Sequence, residues 1–363
     1  MTEALEVSDH HAATPAAGAA AASPAGPDPS MIMQIGMGFW PAKTLLAGIE
    51  LGLFTTLGHG PATGAEIAEK LQLRSRAVYD WLDALVALRL LDREGSGPEA
   101  RYSNTVDTGT FLDANSPAQL TGFLQMANAR LYGFWGSLGE ALQTGQPQTE
   151  IKKTGRSVFE ELYSDPAGLE QFMNAMAGIS APNFHMLAEK FDFSRYQSVC
   201  DVGGATGQLS IILANAHPHL KCTSFDLPAV EPIARRTVAA AGLEERVRVV
   251  AGDFFVDPLP EADVITMGMI LHDWNLDRKL ELIEAAYRAL PPGGALVAVE
   301  SLIDDDRREN AFGLMMSLNM LIEFGDAFDY TGADYREWCT QAGFSRVEIL
   351  HLTGAASAAI AYK

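Results

Sequence analysis

The segment SVCDVGGATG, residues 198–207, constrains the fold of this chain more than any other segment. Val199, Cys200 and Val202 form a short apolar run that is typical of a buried parallel strand, and this run stops at a group of glycines. The residues that follow, 208–216, place apolar side chains at helical spacing. The sequence therefore predicts a tight turn between a strand and a helix, in which glycine lets the backbone approach a ligand closely.

An acidic residue follows this turn at the spacing that nucleoside ligands require. The next apolar run, residues 222–225, ends on Asp226, about 20 residues beyond Gly203. In nucleoside-binding α/β folds, a carboxylate in this place accepts hydrogen bonds from the ribose hydroxyls. The glycines alone could form a turn without any ligand. The acid at the end of the second strand favours a nucleoside site.

Length, charge and cysteine content limit the classes of function. At 363 residues the chain is long enough for one large and one smaller domain. The formal net charge of −20 argues against a nucleic acid or an anionic membrane as a partner. Three cysteines without CxxC spacing predict neither a disulfide framework nor a zinc site. We therefore expect a cytoplasmic protein without a metal ion or a membrane span.

Composition and periodicity divide the chain into four predicted segments. Residues 1–30 are rich in Ala, Pro and Gly and are expected to be disordered. Residues 31–110 show helical spacing followed by a β-wing, and residues 111–195 predict further helices, from Phe111 to Leu142 and from Val158 to Phe191, that serve as a linker and lid. Strands and helices alternate through residues 196–363.

The segment 31–110 has the pattern of a winged helix, which would suggest DNA binding. Its third helix, however, combines Arg76 with acidic and aromatic residues such as Tyr79 and Trp81. A helix that reads a DNA groove needs a cationic face. A packing or dimer surface is therefore favoured.

Seven strands are expected after residue 196. They are the runs 199–202, 222–226, 247–251, 264–269, 295–300, 347–352 and 357–361. The last two lie close together with Gly354 between them, so they form a hairpin. The final strand should consequently run antiparallel to an otherwise parallel sheet.

Five motifs in this half of the chain resemble those of a known family. They are DVGGATG at 201–207, FDLP at 225–228, GDFF at 252–255, LHDW at 271–274 and ALPPGGALVAVE at 289–300. Together they resemble the S-adenosylmethionine-dependent O-methyltransferases of the caffeic acid and acetylserotonin kind. The resemblance implies an α/β fold: a Rossmann-like methyltransferase domain, with a mostly parallel seven-stranded sheet and an antiparallel last strand, preceded by a helical winged-helix-like dimerisation domain. S-adenosylmethionine is the implied cofactor, and a homodimer is the implied assembly.

The same resemblance assigns residues to the cofactor. Gly203 and its neighbours would approach the methionine part, Asp226 the ribose, and Asp253 with Phe254 the adenine. Ser180 would lie near the carboxylate end of the cofactor. A turn cap for Asp253, an N-cap for Ser180 and core packing for Phe254 are the alternatives. The complete predicted set is Ser180, Asp201, Gly203, Gly204, Gly207, Asp226, Leu227, Asp253 and Phe254.

His272 is the candidate general base. It follows an apolar run, so it lies near the carboxyl end of a strand, where open α/β sheets bind their ligands. A hydroxyl becomes a good nucleophile only as its proton leaves, and histidine is suited to accept that proton near neutral pH. By resemblance, Glu300 and Asp329 are the carboxylates that would orient the ring. Asp329 stands where the family usually has glutamate, one methylene longer.

Three further positions lie in or near the LHDW motif. Asp273 and Trp274 are expected to be a helix cap and a packing anchor. Gly268 stands where plant members of the family have lysine, so that cationic contact is absent.

The acceptor pocket is predicted to be rich in methionine. The residues that match the family's acceptor wall are Met126, Phe172, Met176, Met269, Met316 and Met320. Methionine is polarisable and adaptable, which suits an apolar acceptor, although methionine at helical spacing also occurs in ordinary cores.

The expected function is therefore methyl transfer to a small molecule, with a hydroxyl as the acceptor. Two alternatives remain at this stage. One is methylation of a thiol or thioether sulfur, for example in a methylthio-hydroxy acid that gives a sulfonium product. The other is a winged-helix regulator that responds to S-adenosylmethionine.

Overall fold

The computed structural model describes residues 26–155 and 165–363. The first 25 residues of the predicted disordered tail lie outside the described residues, as does the start of the helix predicted from Val158. Residues up to Ala42 form one unit, and residues from Lys43 to Lys363 form a second, larger unit.

The first described residues form helices with exposed apolar side chains. Helix α1 covers Ser30–Gly36, and helix α2 covers Phe39–Glu50 and crosses the boundary between the units. Met31, Ile32 and Ile35 are 71%, 73% and 75% exposed. Monomeric proteins rarely expose large apolar side chains in a contiguous group, so such a surface indicates an interaction site.

The N-terminal part of the second unit combines short helices with a small three-stranded sheet. Its helices are α3 Leu53–Leu57, α4 Gly64–Lys70, α5 Val78–Ala87 and α6 Val106–Phe111. Its strands, β1 Ala62–Thr63, β2 Leu91–Glu94 and β3 Arg101–Asn104, form an antiparallel sheet in the order β1-β3-β2. Helix α4 begins with a capping box in which Thr63 and Glu66 each satisfy the other's backbone N–H.

A nearly continuous helical stretch follows, after a break that the sequence did not indicate. We predicted helix from Phe111 onward, but α6 ends at Phe111 and residues 112–120 form turns. The stretch then contains α7 Thr121–Met126, a π-helical turn Ala127–Leu131, α8 Tyr132–Phe134, a 3₁₀ turn Trp135–Ser137, α9 Leu138–Thr144 and α10 Ile151–Thr154. Helix α11, Pro166–Lys190, leads into the second half of the chain.

The C-terminal half contains the predicted seven-stranded sheet. Its strands are β4 Ser198–Val202, β5 Lys221–Asp226, β6 Val247–Ala251, β7 Val264–Gly268, β8 Ala295–Glu300, β9 Arg346–His351 and β10 Ser357–Tyr362. Their order is β6-β5-β4-β7-β8-β10-β9, and β10 runs antiparallel to both of its neighbours. The predicted reversal of the last strand is confirmed.

Helices cover both faces of this sheet because its inner strands are apolar on both sides. The helices of this half are α12 Gln208–Ala216, α13 Glu231–Ala240, α14 Leu276–Ala289, α15 Ala311–Phe324 and α16 Gly332–Ala342. Of these, α15 packs on α9 and on the turn Leu271–Asp273. Val199 and Val264 belong to the core formed with α11, α12 and α13, whereas Cys200 and Ile265 belong to the core formed with α14 and α16. Strands buried on both faces read as continuous hydrophobic runs, which is why the sequence predicted them well.

The strand order places a switch point beside β4. The chain proceeds from β4 to β5 on one side, whereas β7 lies on the other side. Ligands of open α/β sheets bind outside the carboxyl ends of the strands at such a point. The glycine turn after β4 and the 3₁₀ turn Leu271–Asp273 after β7 both lie there. Within the described ranges, each helix is too short or too polar to span a bilayer.

Candidate active site

The glycine turn has the strained, close geometry that its sequence predicts. Gly203 and Gly207 have φ values of 71° and 80°, which favour glycine. A Cβ on Gly203 would come within 2.2 Å of the Ile270 side chain, and one on Gly204 within 2.2 Å of Ser224 Oγ. Both residues therefore need to be glycine for steric reasons.

Asp226 ties this turn to the end of β5. Its Oδ2 accepts a hydrogen bond from the Ala205 N–H at 2.8 Å, and its Oδ1 accepts one from the Leu227 N–H at 2.7 Å. Burial raises the pKa of Asp226, while the two backbone donors oppose that rise. Each carboxylate oxygen retains a second lone pair for a ligand hydroxyl.

A second acid lies beneath the turn. Asp201 Oδ1 accepts a hydrogen bond from the Thr266 hydroxyl at 2.8 Å, and burial raises the pKa of Asp201 to about 7. A carboxyl with that pKa can act as donor or acceptor near neutral pH.

A cavity of about 790 Å³ opens at this edge of the sheet. It reaches from the glycine turn past His272 to helices α7, α11 and α15. Volumes of this size are typical of small-molecule sites. Among the predicted site residues, those that line it are Ser180, Asp201, Gly203, Gly204, Asp226, Leu227, Asp253, Phe254, His272, Met126, Phe172, Met176, Met269, Met316 and Met320.

Three of the predicted site residues do not belong to the described cavity wall. Gly207 precedes helix α12 as its N-cap and, among the described residues, is not part of the cavity wall. Its positive φ serves the start of the helix, and its assignment to the cofactor stays a prediction. Glu300 and Asp329 are 1% and 3% exposed and lie behind His272 rather than in the wall.

The structure bears on the alternatives for three predicted cofactor residues, and Phe254 does pack against the core of the large sheet. Ser180 lies in the middle of α11, so it is not an N-cap. Asp253 Oδ1 accepts a hydrogen bond from the Phe255 N–H at 2.9 Å, so it caps a turn and also lines the cavity. The Phe254 ring lines the cavity and contacts the ring of Phe255 edge-on, with centroids 4.8 Å apart.

The His272 ring stands between two carboxylates. Its Nδ1 is 3.4 Å from Asp329 Oδ1, and its Nε2 is 3.3 Å from Asp273 Oδ1. The shorter aspartate therefore still reaches the ring. Asp273 was predicted to cap a helix, which is wrong: Asn275 caps α14 by accepting from the Arg278 N–H, and Asp273 faces the imidazole.

Glu300 holds the backbone of this turn rather than the ring. Its Oε1 accepts hydrogen bonds from the N–H groups of Leu271 and His272, at 3.1 and 3.4 Å. The prediction that Glu300 accepts a hydrogen bond from a ring nitrogen is thus wrong, because β8 ends opposite the main chain of the turn. The carboxylate nevertheless stays within 4.8 Å of both His272 and Asp329.

Burial and charge shift the pKa values of these groups in opposite directions. Burial by itself lowers the pKa of His272, but Glu300, Asp273 and Asp329 outweigh it and raise that pKa to about 10. Burial raises the pKa of Glu300 to about 7 and that of Asp273 to about 6, although the imidazolium opposes both shifts. The group therefore titrates as a coupled unit.

Trp274 is an anchor, as predicted. Its ring contacts Phe255 edge-on with a centroid distance of 4.6 Å and Phe254 with a centroid distance of 6.0 Å. Gly268 leaves room for Phe184, whose ring would be 3.1 Å from a Cβ at that position. An aromatic wall thus occupies the region near the position of the plant lysine.

A polar end of the cavity was missed by the sequence analysis. Trp135 Nε1 donates to Asn319 Oδ1 at 2.9 Å, and Asn319 Nδ2 donates to Glu323 Oε1 at 2.6 Å. Arg130 donates two hydrogen bonds to Glu150, at 3.0 and 3.1 Å. Arg130, Trp135, Asn319 and Glu323 all line the cavity. Arg130 follows Met126 by four positions, and Glu323 follows Met316 by seven, so helical spacing from the predicted pocket would have found both.

Comparisons with known proteins place the chain in a family. The O-methyltransferase domain model matches residues 135–345, and the O-methyltransferase dimerisation domain model matches residues 33–113. The tetracenomycin polyketide synthesis 8-O-methyl transferase TcmO of Streptomyces glaucescens is 38% identical over 92% of this chain and 97% of its own length. The 3-hydroxy-5-methyl-1-naphthoate 3-O-methyltransferase of Streptomyces sahachiroi is 35% identical over 88% of this chain and 90% of its own length.

The fold is also similar to that of a solved methyltransferase structure. Human N-acetylserotonin methyltransferase, crystallised in complex with S-adenosylmethionine, has a TM-score of 0.85 and 30% identity over 94% of this chain and 99% of its own. The chain belongs to the S-adenosylmethionine-dependent O-methyltransferase family. The predicted family, fold class and cofactor are confirmed.

Proposed function

We propose that this enzyme methylates a hydroxyl of an apolar small molecule, with His272 as the general base. The observation that carries the proposal is the position of His272, which lines the cavity at the carboxyl edge of the sheet with its ring between Asp329 and Asp273. S-adenosylmethionine, when bound, supplies an electrophilic methyl group and a sulfonium charge that opposes protonation of a nearby base.

The residues present fit this cofactor. The Gly203–Gly204 backbone forms a surface without side chains, and Asp226 offers free lone pairs to the ribose hydroxyls. Ser224 Oγ is buried without a hydrogen-bond partner beside this surface. We assign Ser180, Asp201, Leu227, Asp253 and Phe254 to the remainder of the cofactor site, because all of them line the same cavity.

In the proposed reaction the acceptor oxygen loses a proton and gains the methyl group. Nδ1 of His272 faces the buried Asp329, so Nε2 is the nitrogen that remains toward the cavity, beside Asp273. With the cofactor bound, the acceptor O–H bond would break as its proton moves to Nε2, and the oxygen electron pair would form the new C–O bond. The bond between the methyl carbon and the sulfonium sulfur would break at the same time, with its electron pair staying on sulfur, which leaves as a neutral thioether. The carboxylates then stabilise the resulting imidazolium, as in other histidine bases that are oriented by a carboxylate.

The raised pKa of His272 suits a phenolic hydroxyl. The neighbouring carboxylates raise the pKa of His272, so its neutral form is a stronger base than a free imidazole. A phenol, with a pKa of about 10, gives up its proton to such a base far more readily than an aliphatic alcohol does. The apolar wall, rich in methionine and aromatic rings, can adapt to a flat ring system. We propose an aromatic hydroxyl, which agrees with the acceptor for which the naphthoate relative is named.

The two earlier alternatives gain no support. TcmO and the naphthoate methyltransferase are named for transfer to oxygen, and neither favours a thiol or thioether acceptor. The winged-helix segment matches a dimerisation domain, which accounts for it without DNA binding. We propose that the enzyme is a homodimer that works in the cytoplasm. Within each chain, we propose a tail at 1–30, a dimerisation domain at 31–110, a helical linker and lid at 111–195 and a methyltransferase domain at 196–363.

The cofactor assignment predicts the effect of Asp226→Ala. Loss of two charge-assisted hydrogen bonds, roughly 1.5 to 3 kcal/mol each, should weaken binding of S-adenosylmethionine by at least about tenfold in calorimetry. Asp263→Ala is the matched control, because Asp263 also holds two backbone N–H groups, those of Gln197 and Ser198. Unchanged cofactor affinity in folded Asp226→Ala protein would rule out the assigned site.

The base assignment predicts the effect of His272→Ala. The kcat for the best acceptor should fall by roughly 10² to 10⁴ while cofactor affinity stays near that of the wild type. Glu300→Gln should lower kcat too, since it keeps an acceptor for the turn but removes the charge. His351→Ala changes an exposed histidine and should leave kcat unchanged. Turnover by His272→Ala at close to the wild-type rate would refute the general-base mechanism and favour a proton-free acceptor such as a thioether.

The dimer proposal predicts that deletion of residues 1–30 leaves the assembly intact. The double variant Ile32→Glu/Ile35→Glu should instead give a monomer at micromolar concentration in light scattering, because it charges an exposed apolar helix face. Val256→Glu changes an equally exposed apolar side chain, 78% accessible, outside this domain and should remain dimeric. A wild-type protein that is monomeric would overturn the proposal.

A further inference from the structure

Glu323 is a carboxylic acid in a cavity wall that is mostly apolar. It lies on α15, one helical turn after Asn319 and seven residues after Met316, so these three side chains share the face that lines the cavity. The proposed proton transfer to His272 uses neither oxygen of Glu323. A polar group in such a wall is costly unless it forms a hydrogen bond, so a ligand group that bonds to it gains affinity.

The hydrogen bonds around Glu323 leave an acceptor oxygen available to the cavity. The indole N–H of Trp135 can only donate, and it donates to Asn319 Oδ1 at 2.9 Å. The NH₂ group of Asn319 therefore points to Glu323, and Nδ2 donates to Oε1 at 2.6 Å. Within residues 26–155 and 165–363, Oε2 accepts no hydrogen bond, and it keeps contact with solvent.

Arg130 lines the same part of the wall and limits the kind of group that fits. Its Nε and Nη2 donate to the two oxygens of Glu150, which leaves three of its five N–H groups for other acceptors. Among the described side chains, none forms an ion pair with Glu323. An ammonium group would be repelled by Arg130 and a carboxylate by Glu323. A hydroxyl fits both, because it can donate to Oε2 and accept from the guanidinium.

Glu323 lies at the same end of the cavity as the base. Asp326, three residues after Glu323, accepts a hydrogen bond at 2.8 Å from Asn275 Nδ2, and Asn275 follows His272 by three residues. Helix α15 also packs on the turn Leu271–Asp273. One rigid acceptor can therefore present a hydroxyl to Nε2 of the base and a second hydroxyl to Glu323.

We propose that Glu323 selects acceptors that carry a second hydroxyl, which donates a hydrogen bond to its Oε2 while the first hydroxyl is methylated. The substrate class is then an aromatic ring system with at least two hydroxyls. This inference rests on the proposed function, because His272 marks the hydroxyl that reacts. Glu323 does not touch the reacting atoms and is a specificity-determining residue.

The inference also predicts the product. After one methylation, the product is an ether at one position and a hydroxyl at the other. For a second methylation the molecule must bind with the ether at Glu323, and an ether has no proton to donate to Oε2. The enzyme should therefore accumulate the monomethyl ether.

The test compares kcat/KM for monohydroxynaphthalenes and dihydroxynaphthalenes. In the wild type, the best dihydroxy isomer should exceed the best monohydroxy isomer by about tenfold or more, because a hydrogen bond to a charged group is lost with the latter. In Glu323→Met the preference should fall to about twofold, which two equivalent reactive hydroxyls give by statistics alone. The dimethyl ether should then form from the monomethyl ether at a comparable rate.

Two further variants sharpen the comparison. Glu323→Gln keeps an oxygen that can accept but removes the charge, so it should retain a preference of about threefold, since neutral hydrogen bonds are roughly half as strong. Glu284→Gln changes an exposed acid on α14 that faces Arg288, and it should keep the wild-type preference. If Glu323→Met does not fold, Glu323→Gln and the wild-type product pattern decide the question.

The outcomes separate the inference from the proposed function. If Glu323→Met lowers kcat/KM by the same factor for both kinds of naphthalene, Glu323 has only a structural role and the inference is overturned. A wild-type preference of about twofold or less would overturn it too and leave the proposed function intact. A wild-type enzyme that methylates none of these compounds would instead contradict the aromatic hydroxyl of the proposed function, and the inference would fall with it.

Discussion

The hydrogen bonds from the backbone of residues 271 and 272 to Glu300 are the interaction on which the site depends. They join the turn after β7 to the end of β8, and their acceptor is a carboxylate that is 1% exposed. A buried carboxylate is costly unless it is hydrogen-bonded or paired. The neighbouring imidazolium supplies the opposite charge and lowers the pKa of Glu300 against the effect of burial. Glu300 thus holds the turn that carries His272, and the charge of His272 in turn lowers the free-energy cost of burying the Glu300 carboxylate.

The same edge of the sheet brings the proposed cofactor site and the proposed base together. The glycine turn after β4 and His272 after β7 flank the point where the strand order changes direction, and both line one cavity. Helices α7, α11 and α15 close the other side with methionine and aromatic side chains. An apolar enclosure excludes water, which strengthens the electrostatic interactions of the buried charges.

The sequence predicted the parts of the fold that depend on local pattern. All seven strands of the large sheet were located to within one residue at each end. Inner strands such as β7 and β8 are continuous apolar runs because they are buried on both faces, whereas the edge strand β9 is mostly exposed, so burial does not explain its prediction. It failed where position in space decides the role. The sequence predicts a helix cap for Asp273, a contact with the ring for Glu300 and helix for residues 112–120. All three predictions are wrong, because the local sequence does not show which groups lie opposite these residues in space. Arg130 and Glu323 belong to no motif, although they share helix faces with predicted pocket residues.

The most direct measurement is an NMR titration of His272 in the ligand-free wild-type protein, with the resonance assigned through His272→Ala. The carboxylates around the ring should raise its midpoint from the ordinary value of 6.5 toward about 10, so the ring should still be protonated at pH 8. A midpoint at or below 6.5 would show that burial outweighs the three carboxylates. It would contradict the account of a base that is held and tuned by buried acids.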